Sequence, residues 1–181
     1  MERIPAASKI CLEDPDLVAS SPSQSPQQAI AALLELHAPS RLLHVGGSDL
    51  PAVQAFGDSH EDCQIDRATT APLPDELASR RYDMALIADC LERLPKHDGL
   101  QLLGGIRNLN ASRVAVLIDL NACDWHSTDF YALALQVSGR FERDQQTLTL
   151  FTYDLLDYKQ VPDWLNAKFW ANPQMFGKYW W

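Results

Sequence analysis

Three short stretches carry residues able to meet a small polar ligand. The first is Leu42-Leu43-His44-Val45-Gly46-Gly47-Ser48-Asp49, an apolar run that breaks into two glycines and two small polar residues. A glycine lets backbone approach a ligand with no Cβ in the way, so Gly46 and Gly47 are candidates for close contact. The same pair also serves as a plain tight turn. The second stretch is Cys63-Gln64-Ile65-Asp66, where Asp66 offers two acceptor oxygens or is simply a solvated loop acid. The third runs from Tyr82 to Asp89 and Cys90. There Asp89 either touches a ligand or caps the Leu91-Glu92-Arg93-Leu94 turn.

Other chemistry finds little support in the spacing. His37, His44, His60, His97 and His126 are scattered, with no HExxH or comparable pattern. Cys11, Cys63, Cys90 and Cys123 include no CxxC pair, so no metal is expected and the cysteines read as reduced thiols. No nucleophile and base stand together, and the catalytic residues stay unassigned.

A chain of 181 residues is first read as one domain. Its formal net charge of -9 leaves no basic face for phosphates, which disfavours nucleic acid as a partner. No apolar stretch approaches the roughly 20 residues that span a bilayer, and Met1 to Ser25 lack a signal-peptide pattern. The expectation is a cytoplasmic protein with neither nucleic-acid nor membrane partners.

The elements that position these residues alternate in type. Residues 1–25 end in a Ser/Pro-rich stretch of extended chain. Ser25, Pro26 and Gln28 then form a capping box, and Ile30, Leu33, Leu34 and His37 mark one helix face. A buried strand covers 42–45, and a short helix opened by Asp49 and Pro51 runs through Phe56 to Gly57. Residues 82–89 and 113–120 read as further buried strands, with a helix from Asp98 between them carrying Leu102, Leu103, Ile106 and Leu109. Phe130, Leu133, Ala134 and Val137 mark a last helix ended by Gly139, and 141–155 a closing hairpin turning at Asp144-Gln145-Gln146. Alternating strands and helices imply an α/β three-layer sandwich with a mostly parallel sheet and an antiparallel C-terminal strand.

With these elements in order, the chain resembles a class I S-adenosylmethionine-dependent methyltransferase over residues 26–155. RRYDMALIADCLERLP is similar to the family's fourth strand and the turn after it, matching at Tyr82, Asp83, Leu91, Glu92, Leu94 and Pro95, with Arg93 where a His is frequent. PLPDE resembles the Pro-rich lead-in, RVAVLIDL the fifth strand, and GRFE with TLTLFTYDL the sixth and seventh. The resemblance implies a Rossmann-like fold, S-adenosylmethionine as cofactor, and contacts from Gly46, Gly47, Asp66 and Asp89. Ser48 and Leu50 stand where the family's loop has glycine, and His44 where an acid is usual. Between Gly47 and Pro72 the chain is too short for the family's strand, helix and strand, so the β2–αB–β3 region is reduced. Asp66 ends either the second strand, where the family's acid holds the ribose, or the third, where an Asp meets the adenine.

The last 18 residues hold Trp164, Trp170, Trp180 and Trp181, four of the five tryptophans, with Phe169, Phe176 and Tyr179. The stretch looks like the C-terminal signature of small bacterial proteins from a domain family of unknown function. Pro162-Asp163 starts a short helix that Asn172-Pro173 stops. Segment 156–181 is expected to pack on the domain, to meet a second copy or a protein partner, or to grip a flat substrate. Two functions follow: methyl transfer to a small molecule or protein, or a non-catalytic binding, regulatory or oligomerisation module acting through the aromatic tail.

Overall fold

Local capping sets the first element of the structure, a computed structural model describing residues 25–69, 71–143, 146–158 and 178. The Ser25 hydroxyl accepts from the Gln28 amide at 3.2 Å while Gln28 Oε1 accepts from the Ser25 amide at 2.8 Å. With Pro26 at its first position, helix α1 (Pro26–His37) buries Ile30 and Leu34. The expected N-terminal segment up to residue 24 lies outside the described residues.

Six strands form one sheet: β1 (Arg41–Val45), β2 (Gln64–Ala68), β3 (Tyr82–Ala88), β4 (Ala111–Asp119), β5 (Gln136–Arg143) and β6 (Gln146–Asp154), in the order β2-β1-β3-β4-β6-β5. The pairs β1–β2, β1–β3 and β3–β4 are parallel, while β4–β6 and β5–β6 are antiparallel. On one face α1 and α2 (Pro51–Ser59) bury Ile30, Leu34, Val53 and Phe56 against Leu42, Leu86 and Leu117. On the other, α3 (Asp75–Ala78), α4 (Lys96–Gly105), the turn after it and α5 (Ser127–Ala132) cover Leu43, Ile87, Val116 and Phe151 with Leu103, Ile106 and Phe130. A π-helical turn, Ile106–Asn110, carries α4 into β4, and α6 (Leu155–Tyr158) follows β6. The molecule is the expected α/β Rossmann-like sandwich. Continuous apolar runs in β3 and β4, buried on both faces, are what a parallel sheet covered by helices requires.

Several boundaries differ from the sequence reading. Helix α2 runs on through Gly57 to Ser59, and Leu50 rather than Asp49 precedes it without a side-chain cap. Helix α4 starts at Lys96 after Pro95, so Asp98 sits in its first turn and is not the cap. The helix expected to run from Phe130 past Val137 stops at Ala132, and Val137 and Gly139 belong to β5. Ala134 turns the chain with φ 59°, Leu135 becomes fully buried, and a bulge between Val137 and Gly139 breaks the strand's alternation. The expected hairpin turn at Asp144-Gln145 and the helix from Pro162 lie outside the described residues.

Glycines report the packing. A Cβ on Gly46 would strike the Ala88 carbonyl oxygen, whereas one on Gly104 would meet nothing within 4 Å. Gly46→Ala is expected to destabilise by ~3 kcal/mol or more, since overpacked backbone must move. Gly104→Ala, inside α4, should stabilise by ~1 kcal/mol. Urea unfolding of the two variants checks both signs.

Candidate functional site

The carboxyl ends of β2, β1 and β3 meet at one point. The Gly46 amide donates to the Ala68 carbonyl at 2.9 Å, and the Ala88 carbonyl lies against its Cα. Gly46 is therefore required by the close packing of the β1 end against β3 itself. Gly47 is different, because its open side faces functional groups: a Cβ there would lie 3.1 Å from Arg93 Nη1 and 3.8 Å from Asp89 Oδ2.

Asp89 organises this mouth. Its backbone is left-handed, with φ 52°, a conformation that Asp tolerates better than most residues. Arg93 Nη2 donates to both Asp89 oxygens at 2.7 Å, and the Ser48 hydroxyl donates to Oδ2. A short 3₁₀ turn, Leu91–Arg93, brings the arginine back four residues after the aspartate. Next to it Arg67, near the end of β2, pairs with Asp49 from the loop before α2. Gly46, Gly47 and Asp89 are thus brought together, joined by Ser48 and Arg93.

Asp66 stands apart from that cluster. Strand β2 pairs directly with β1, and Asp66 is its third residue, opposite Leu43 and two before the strand's end. Its carboxylate accepts from Arg80 Nη1 and the Tyr82 hydroxyl, both at 2.9 Å. Burial opposes its ionisation, but these bonds outweigh burial and hold the carboxyl below its ordinary range. Burial, then the Asp66 charge, pushes the Tyr82 phenol up to about 12. Beyond β2 the sheet has no further strand among the described residues, and the chain returns to β3 through the four-residue α3.

His44, at the position where an acid was noted as usual, is buried, and its Nε2 has no hydrogen-bond partner. Burial, helped by the nearby Arg67 charge and opposed by Asp49, lowers its pKa, so the ring is neutral in the folded chain.

S-adenosylmethionine lying on the glycine turn needs an open Gly47 face and free acceptors. As placed, Arg93 covers that face, Asp89 accepts from Ser48 and Arg93, and Asp66 Oδ2 accepts from Arg80 and Tyr82 while its Oδ1 meets only Gln64 Nε2 at 3.4 Å. A cofactor on the glycine turn would have to displace Arg93 from Gly47. Sequence reasoning passed over Arg93 and Arg67. The Asp89–Arg93 spacing of i and i+4 was the visible signal for the first; nothing local pointed to the second.

Comparison with known proteins supports the fold. A model described as a family of unknown function, DUF6231, matches residues 24–181. No curated protein matches the sequence. Among solved structures, the mitomycin 7-O-methyltransferase MmcR is 12% identical with a TM-score of 0.50, covering 71% of this chain and 53% of its own. The S-adenosylmethionine-dependent methyltransferase SibL is 13% identical, also at 0.50, covering 70% and 53%. Magnesium protoporphyrin IX methyltransferase from Synechocystis PCC 6803 is 13% identical at 0.48, covering 70% and 77%. The chain spans about half the length of the first two. At such identities the likeness to MmcR and SibL shows a methyltransferase-like fold.

His44 generates a pH test. Its lowered pKa means the unfolded chain binds more protons than the folded one below the ordinary imidazole value of 6.5. Stability should therefore fall as pH drops below that value. The carboxyls held low, Asp66, Asp129 and Asp154, lose their contribution only below the ordinary value of 3.8, outside this window. His44→Leu removes a buried unpaired nitrogen and its proton linkage. Melting temperatures between pH 7 and 5 should then decline less steeply than for the wild type, with His37, whose pKa burial also lowers, supplying the residual slope. Parallel curves would refute the assignment.

Proposed function

The chain belongs to DUF6231 and has a methyltransferase-like fold, and from that premise we propose that it works as a binding or regulatory module that does not transfer methyl groups. The observation that carries this reading is the Arg93 guanidinium, held by both oxygens of Asp89 over Gly47 with Ser48 on the same carboxylate. Ligands of open α/β sheets enter outside the carboxyl ends of the strands. Here that space is taken by the protein's own side chains, and Asp66 is held by Arg80 and Tyr82. The site for a partner then falls on the surface, and the aromatic residues from Trp164 to Trp181 are of the types enriched in binding hot spots.

A second reading, S-adenosylmethionine-dependent transfer to a small molecule or protein, rests on a separate observation. The Arg93 and Asp89 side chains are 66% and 36% exposed, and such exposed pairs contribute only ~0.2–1 kcal/mol. A tight ligand has enough free energy to displace Arg93.

Heating the protein with millimolar S-adenosylhomocysteine separates the two. A ligand at 100 times its dissociation constant adds ~2.7 kcal/mol, a rise of roughly 5–10 °C for a domain of this size. The module reading expects no shift for the wild type or for Arg93→Ala. A shift in the wild type, or one gained on removing Arg93, overturns it in favour of a crevice competent for the cofactor.

A further inference from the structure

Exposed apolar surface gathers at the end of the sheet away from the glycine turn. Five large hydrophobic side chains are exposed among the described residues, and four of them, Leu36, Leu109, Leu156 and Tyr158, occupy one end. Leu36 lies in the last turn of α1, just before β1; Leu109 in the π-helical turn entering β4; Leu156 and Tyr158 on α6, after β6. Because Asp154 of β6 pairs with Arg113 of β4, the end of β6 and the start of β4 coincide. All four residues therefore surround the amino ends of the parallel strands.

Two hollows open there, with Tyr153 and Tyr158 shared by both. One, of about 320 Å³, is lined by Leu33, Leu36 and Met84; the other, of about 510 Å³, by Arg81, Arg107 and Ser112. The Arg107 guanidinium lies 4.6 Å from the Tyr153 ring and 5.6 Å from that of Tyr158, and its Nε is buried without a hydrogen-bond partner. The exit of the chain is fixed at this spot. Asp154 accepts from Arg113 Nε at 2.6 Å and from the Leu156 amide at 2.8 Å, which anchors α6 beside the hollows.

We infer that this amino-end floor is the docking surface for residues 159–181 of the same chain. The segment begins at the floor, directly after Tyr158. Trp164 comes six residues later, so it reaches no further than ~20 Å from Tyr158. Each aromatic buried removes ~150–250 Å² from water, and the floor is the exposed apolar surface from which their segment starts. Tethering favours the same chain over a second copy, because a short connection sets an effective concentration near millimolar. An acceptor from the docked segment would also satisfy Arg107 Nε. Docking does not depend on the module reading; only the use of the segment's outer face as a partner surface does.

The test uses the full chain and a Leu109→Glu, Leu156→Glu double variant, both changes at exposed positions so that folding, checked by circular dichroism, is retained. The wild type should run as a monomer at every concentration, show blue-shifted tryptophan emission, and resist trypsin at Lys159 and Lys168. The variant should shift to the red and be cut about tenfold faster, the fold-change that ~1.4 kcal/mol of lost docking gives. Equal cleavage of the two proteins would overturn the proposal. So would protection that disappears on dilution together with a dimer, which would place the segment on another copy. A cofactor-induced thermal shift would sink the module reading and leave these readouts unchanged.

Discussion

The Ala88 carbonyl fills the space where any side chain on residue 46 would stand. That single close approach sets the geometry of the carboxyl end. It lets the end of β1 run close beside β3, while the Gly46 amide bonds Ala68 of β2, so three strand ends gather at one point. The turn that follows has no choice of direction, so Gly47 and Ser48 come to lie beside Asp89. Glycine at 46 is required by backbone packing, whatever the turn binds. Gly47 differs in that its open side is met by the Arg93 side chain and not by backbone.

What occupies that opening is electrostatic. Asp89 adopts a left-handed backbone and offers both oxygens to Arg93 and one to Ser48. A carboxylate satisfied in this way has little acceptor capacity left for a ligand. The Asp49–Arg67 pair adds a second self-contained charge contact between the turn and β2, and Asp66 forms a third with Arg80. The Asp89–Arg93 and Asp49–Arg67 pairs are exposed and add little to folding. Their consequence is steric and chemical: each acid that the methyltransferase resemblance made available is answered by a base from the same chain.

The parts of this fold that were legible in the sequence are those fixed by local rules. Ser25, Pro26 and Gln28 cap α1 through contacts three residues apart, and the runs in β3 and β4 are apolar on both faces because helices cover both. The α5–β5 junction was not legible. Phe130, Leu133, Ala134 and Val137 repeat at helical spacing, yet tertiary packing buries Leu135 and draws Val137 into a strand beside Phe151. Periodicity alone cannot see a bulge that shifts the register by one residue. The same limit applies to the site. Gly46, Gly47 and Asp89 follow apolar runs that end together, so their convergence was readable. Asp66 depends on how far β2 extends, which is decided by pairing with β1. Arg93 follows Asp89 by four residues, but Arg67 and Arg80 answer Asp49 and Asp66 from positions that local spacing does not relate.

The two ends of the sheet have exchanged the properties their fold usually assigns. In open α/β proteins the carboxyl ends of the strands supply the crevice where ligands bind. Here that end is polar and carries its own ion pairs, Asp89–Arg93 and Asp49–Arg67, while the amino end carries the exposed Leu36, Leu109, Leu156 and Tyr158 and the buried, unpartnered Nε of Arg107. The shortened connection from β2 to β3 accounts for the first change: it leaves β2 at the sheet edge, with no neighbour beyond it among the described residues to wall a crevice. The second has its own cause in α6, which Asp154 turns across the floor instead of letting β6 run out into solvent. An end that keeps apolar residues exposed is under continuous pressure to be covered, since each such side chain gains ~1.5–3 kcal/mol when taken out of water. Free energy for binding in this molecule thus resides at the amino end, and the aromatic residues that follow Tyr158 are the nearest to use it.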